Sequence, residues 1–151
     1  MIKNLFFDDL QVGHTGRSGS YHLSEREILD FATRYDPRPF HIDEEAAARS
    51  VFRGLIASGA HTFAIHVSLA LSLSPWFSEN LLAGMGYDEV RFPTPARPGD
   101  VLEFVSTVIE LRGSKSKLDR GIVRAKGVLS NASNEPVLEA IANILVARRP
   151  T

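Results

Sequence analysis

The stretch Ser58-Gly59-Ala60-His61-Thr62-Phe63-Ala64-Ile65-His66-Val67-Ser68-Leu69-Ala70-Leu71-Ser72-Leu73 decides the fold. Its apolar residues run almost all the way around a helical circumference, and a helix without a continuous polar face is one enclosed by other structure. His61, Thr62, His66, Ser68 and Ser72 interrupt it too often for a membrane span, which needs about 20 predominantly apolar residues. The enclosing structure follows it in the chain. Tyr87 to Phe92, Val101 to Arg112, Arg120 to Ser130 and Val137 to Ala147 are rich in Val, Ile and Leu, partly alternate, and read as four strands. Pro93, Pro95, Pro98 and Gly99 mark a loop before the second, and Gly113 to Asp119 and Asn131 to Pro136 mark turns. One earlier strand near Arg17 to Leu23 brings the expected total to about five. Strand, helices, then antiparallel strands predicts an α+β architecture, with one curved antiparallel sheet wrapped around one long central helix. No repeat, linker or low-complexity segment divides residues 1–151, which read as a single domain.

Upstream of the long helix, Ser24 with Glu27 three residues later has the spacing of a capping box, and Ile28, Leu29, Phe31, Ala32 and Tyr35 recur at helical intervals. Pro37 stops this helix because proline disfavours helical backbone in the residue before it, which leaves Asp36 at the exit. Asp36-Pro37-Arg38-Pro39-Phe40-His41 holds two prolines in six residues and predicts a stiff turn or loop. Asp43 to Ser50 reads as a second short helix with acidic residues in its first turn, and Gly54 breaks the chain after it. Pro75 ends the long helix, and Trp76 and Phe77 follow in a lid or loop.

Composition narrows the function classes. With 44% hydrophobic and 23% charged residues, the chain has enough apolar side chains for one core and lacks the signature of disorder. Lys+Arg 17 against Asp+Glu 18 gives a net charge of -1, which supplies no global field for nucleic acid or anionic lipid. The lack of cysteine removes disulfides, thiolate metal sites and a thiol nucleophile together. Asp8 and Asp9 stand where a secretion signal needs an uninterrupted apolar run, so a cytoplasmic protein is expected, with neither nucleic acid nor membrane as a partner.

The segments Tyr35-Asp36-Pro37-Arg38-Pro39-Phe40-His41-Ile42-Asp43 and Phe52-Arg53-Gly54-Leu55-Ile56-Ala57-Ser58-Gly59 carry the chemistry. A carboxylate and an imidazole on one rigid loop can give and take a proton within a turnover, since imidazole titrates near neutral pH. The alternative is a helix-capping Asp and a surface His. Gly59 opens the long helix, so its N–H is an unpaired donor suited to an oxyanion. Gly54 and Gly59 equally suit tight turns and close packing. His61 and His66 are five apart and do not share a helical face as an i, i+4 metal pair would, and no Gly-x-Ser-x-Gly elbow is present, so neither a metal nor a serine hydrolase is expected. Lys115, Lys117, Arg120 and Arg124 form a basic patch that either meets a ligand phosphate or is a solvated face. Phe6, Phe7 and Trp76 are expected in the core or in subunit contacts.

Asp36-Pro37-Arg38-Pro39-Phe40-His41, followed by Ile56-Ala57-Ser58-Gly59, resembles the hydratase motif of the MaoC-like dehydratase and (R)-specific enoyl-CoA hydratase family, D-x-N-P-x-H and then I-A-[HS]-G. Val90-Arg91-Phe92-Pro93-Thr94-Pro95 and Pro98-Gly99-Asp100 resemble the strand and turn that follow the central helix in that family. The resemblance implies a hotdog fold and reversible addition of water to a 2-enoyl-CoA or carrier-protein thioester, without metal or cofactor. It also implies a homodimer or higher homo-oligomer. Asp36 and His41 match the catalytic pair, and Gly59 matches the glycine whose N–H binds the thioester oxygen. Ser58, Arg38 and Phe40 are expected against the substrate. Arg38 departs from the usual Asn, and a guanidinium beside Asp36 favours the ionised carboxylate or holds it in a salt bridge. Ser58 stands in place of the commoner His. A serine that faces the carboxylate from the central helix in the family has no single match: Val67 and Ser68 both lie near its place. A hotdog thioesterase and a non-catalytic acyl-thioester-binding subunit are the alternative functions on the same scaffold.

Overall fold

The computed structural model describes residues 4–73 and 79–151. Pro75, Trp76 and Phe77 lie outside the described residues. After a short 3-10 turn at Phe7–Asp9 come strands β1 (Thr15–Arg17) and β2 (Tyr21–His22), then helices α1 (Glu25–Tyr35), α2 (Pro39–Ile42), α3 (Glu44–Arg49) and α4 (Gly59–Leu71). Strands β3 (Leu81–Arg91), β4 (Val101–Gly113), β5 (Arg120–Ser130) and β6 (Pro136–Ala147) complete the chain. The sheet is antiparallel, in the order β1-β4-β5-β6-β3, with β2 also on β4.

Six strands form where about five were expected, because the early strand is divided. Ser18 turns inward between its halves: its hydroxyl donates to the Gly19 carbonyl and accepts from the Phe104 N–H, which interrupts the pairing with β4. β3 starts at Leu81, six residues before the expected Tyr87. Its pairing with β6 slips at three places, and Gly86 at φ +125° and Glu89 at φ +52° break the alternation by which a strand is recognised. Asp36-to-His41 is not loop throughout: Pro39, set for a first helical turn by its fixed φ, opens α2.

Helix ends follow their capping residues. Ser24 accepts the Glu27 N–H at 3.1 Å and Asp43 accepts the Ala46 N–H at 3.0 Å. The other half of the expected box at Ser24 is not made, because the Glu27 carboxylate reaches Tyr21 Oη and His61 Nε2 instead, tying β2, α1 and α4 together. α4 is buried on one face through His61, Thr62, Ile65, His66 and Leu69, packed over the sheet core of Leu102, Phe104, Val108, Val123, Leu129 and Leu138. Its opposite positions Ala64, Ser68 and Leu71 are exposed, so a single chain encloses only one side of a helix that is apolar nearly all round. No helix among the described residues is long and apolar enough to cross a membrane. Phe7 joins the core, where it occupies the space a Cβ on Gly121 would need.

Candidate active site

Asp36 is the residue at which α1 ends. Its own N–H still bonds to the Ala32 carbonyl at 2.8 Å, while its backbone leaves the helix at φ -152°, ψ 68° to meet Pro37. The short α2 then carries Phe40 and His41 back toward it. His41 Nε2 lies 3.5 Å from Asp36 Oδ2, and the imidazole is almost completely buried. On the other side of the ring, Nδ1 stands 2.7 Å from the Ile56 carbonyl oxygen. A carbonyl only accepts, so Nδ1 bears a hydrogen, and the ring turns Nε2 toward Asp36. Phe40 meets the ring edge-on with centroids 4.5 Å apart and packs in turn on Phe52 at 5.1 Å.

The third component enters from α4. Ser58 caps this helix, accepting the Ala60 N–H at 3.3 Å, and leaves the Gly59 N–H as the first donor of the helix without an intrahelical acceptor. A Cβ at Gly59 would come within 3.1 Å of the Phe92 ring, so a larger residue there requires the ring to give way by a few tenths of an ångström. Gly59, His41, Arg38 and Phe40 share one cleft of about 360 Å³ with Phe52, Thr62, Phe92 and Val137. Thr62, Phe92 and Val137 escaped the sequence reading. They come from three separate elements, and nothing local marks them.

Ser58 is placed differently from expectation. It is fully buried, its hydroxyl donates to Asp36 Oδ2 at 2.7 Å, and neither Ser58 nor Asp36 is among the residues that line the cleft. Val67 and Ser68 make no bond to Asp36: Val67 is half-buried and Ser68 lies on the exposed side of α4. Arg38 Nε approaches the other carboxylate oxygen, Oδ1, at 3.4 Å, with its side chain 67% exposed. Two of the four residues of the basic patch are engaged elsewhere, Arg120 with Asp119 and Arg124 with Glu110 and Asp88.

A second, mostly apolar cavity of about 170 Å³ continues along α4, lined among others by His66, Ala70, Tyr87, Phe104 and Ala140. Burial pushes the His66 imidazole down to about 4, against only a weak opposing contribution from the Phe63 backbone. Its Nδ1 is buried without a hydrogen-bond partner, and the ring is bounded by Phe63, Tyr87 and Phe104. It is a neutral core histidine.

Comparison with known proteins agrees with this fold. A crystal structure of a MaoC-like dehydratase from Rhodospirillum rubrum superposes with a TM-score of 0.89 at 41% identity, covering 97% of this chain and 99% of that one. The protein YdeM of Bacillus subtilis is 28% identical over 141 residues, which is 93% of this chain and 98% of YdeM. Mesaconyl-CoA hydratase of Cereibacter sphaeroides is 30% identical over 149 residues, 97% of this chain but 42% of that longer protein. The antiparallel sheet with its central helix is the hotdog fold of these neighbours. The family model described as MaoC like domain matches residues 11–131, a span that holds the carboxylate, the imidazole and the helix-end amide alike, and the chain belongs to that family.

Proposed function

We propose that this protein adds water reversibly to the double bond of a 2-enoyl thioester of CoA or a carrier protein. The observation that carries the proposal is the approach of His41 Nε2 to the Asp36 carboxylate, 3.5 Å apart beside a cleft lined by His41 and Gly59. With Nε2 unprotonated and the carboxylate ionised, the form a general base requires, a water that donates one hydrogen to each satisfies both and keeps a lone pair free for attack.

In this reading the thioester oxygen accepts from the Gly59 N–H, and the acyl chain follows α4 past Thr62 toward the cavity at His66. The water oxygen bonds to the β-carbon while one of its protons passes to the Asp36–His41 pair. The pair returns a proton to the α-carbon. Negative charge on the thioester oxygen in between is held by the amide, an interaction whose loss typically raises a barrier by about 3 kcal/mol. No step needs a metal or a cofactor. Relatives whose names are those of CoA hydratases and dehydratases support the reaction type. The test is a panel of 2-enoyl-CoA substrates followed by loss of enoyl absorbance with a thiol reagent present. Hydration without thiol release is expected. Thiol release alone would identify a thioesterase, and tight binding without either would identify an acyl-thioester-binding subunit.

Arg38 shields Asp36 without locking it. An exposed ion pair is worth about 0–1 kcal/mol, so Arg38→Asn is expected to change kcat for an uncharged enoyl-CoA by less than about fivefold. An increase of a hundredfold would show that the guanidinium holds the carboxylate inactive.

We also infer a homodimer. β3 pairs with β6 on one side only and exposes Leu82, Met85, Tyr87 and Val90, with Phe92 just beyond its end. An unpaired apolar strand edge is a template for another chain. Joining two β3 edges antiparallel would cover it and bring a second copy beside the Phe92 wall of the cleft. Sedimentation at micromolar concentration should give a dimer, and a monomer there would contradict the inference.

A further inference from the structure

We infer that Ser58, rather than a serine within the central helix, is the positioning residue that sets the direction of the Asp36 carboxylate relative to the Gly59 amide; this inference rests on the hydratase reading of the site. Ser58 is fully buried, so it touches no substrate. An ionised carboxylate only accepts hydrogen bonds, so at 2.7 Å the single hydroxyl hydrogen of Ser58 is committed to Asp36 Oδ2. The hydroxyl lone pair takes the Ala60 N–H, and the Ser58 carbonyl takes both the Thr62 N–H at 3.0 Å and the Thr62 hydroxyl at 3.1 Å. The residue is thus fixed to the first turn of α4 at three points, and its one remaining bond reaches 22 residues back to the end of α1.

That bond is what ties the two halves of the site together. Asp36 follows the last turn of α1 and precedes a proline, and it has no helical neighbour to set its side chain. Its Oδ1 meets the exposed Arg38 at 3.4 Å, an ion pair of the kind that contributes little. Oδ2, the oxygen nearer His41, is the one Ser58 holds. Because Ser58 directly precedes Gly59, any shift of the helix start moves the carboxylate and the amide together. Val67 and Ser68 within α4 make no such contact, and a water poised on Oδ2 depends on Ser58 for its geometry.

The test compares Ser58→Ala and Ser58→Gly in the full-length protein. Alanine removes both the clamp and the helix cap, whereas glycine removes the clamp and remains an acceptable cap. If Ser58 positions Asp36, both variants lose kcat on an enoyl-CoA by a similar factor of about 10–100, with KM within threefold of wild type, although their stabilities differ. If Ser58→Gly keeps wild-type kcat, or if KM rises while kcat holds, the inference is overturned. A urea-unfolding cycle of Ser58→Gly, Asp36→Ala and the double variant reads the same contact without turnover, with a departure from multiplicative effects on the unfolding constant of about fivefold or more expected. Multiplicative effects would overturn the inference even for an active wild type. A wild type that hydrates no enoyl thioester, with the coupling intact, would instead sink the hydratase reading and leave Ser58 as a structural tie only.

Discussion

Asp36→Asn and His41→Ala are each expected to lower hydration of a 2-enoyl-CoA by roughly 10²- to 10⁴-fold, the range that a positioned acid or base supplies. The two substitutions fail for different reasons. Asn at position 36 keeps the shape and still offers Ser58 an oxygen to bond, but a neutral amide draws no proton from water. Ala at position 41 removes the imidazole Nε2 that faces Asp36 and leaves the buried Ile56 carbonyl without its donor, which costs about 1–3 kcal/mol of stability as well. Asp36→Asn should therefore melt near wild type while His41→Ala melts lower, and both should still bind a saturated acyl-CoA. Turnover within a few fold of wild type in both variants would remove the pair from the mechanism.

His66 carries the second large effect, on stability. Burial holds its imidazole down at about 4, below the ordinary 6.5, because the ring lies among Phe63, Tyr87 and Phe104 with no carboxylate bonded to it. As pH falls through 6.5 the unfolded chain takes up a proton that the folded chain refuses until about 4, so stability is fully present above 6.5 and is lost across that window. The shift corresponds to about 3 kcal/mol. In urea melts at pH 7 and pH 4, His66→Gln, which is neutral throughout, should lose about 3 kcal/mol less between the two pH values than wild type. Equal losses would show that the ring is protonated in the fold at its ordinary pH.

The sheet was legible because the later strands signal themselves in hydrophobic runs bounded by Gly, Pro and Asn, and β5 and β6 fall within a residue of expectation. The strands that misled are those whose signal is interrupted. Ser18 splits the first strand by bonding to the backbone, and the glycines and bulges of β3 mask its first half. α4 was legible as buried, but a circumference apolar on all sides cannot say which side meets the chain's own sheet and which awaits another copy. Within the site, spacing alone left Asp36, His41 and Gly59 open to a capping or turn role, and it was the resemblance of two short segments to a family motif that singled them out. The role of Ser58 was marked by neither. Its partner lies 22 residues away, and a serine before a glycine at a helix start reads first as a cap, which it also is. The bond from Glu27 to His61 was hidden in the same way, since a capping box explains Glu27 locally and completely.

Incubating a 2-enoyl-CoA such as crotonyl-CoA with the protein in D₂O, and following the product by NMR, tests the central claim most directly. One deuterium at the α-carbon and a hydroxyl at the β-carbon, with the thioester intact, is the result expected if the Asp36–His41 pair handles water beside the Gly59 amide. Free CoA with an unexchanged enoic acid would contradict it.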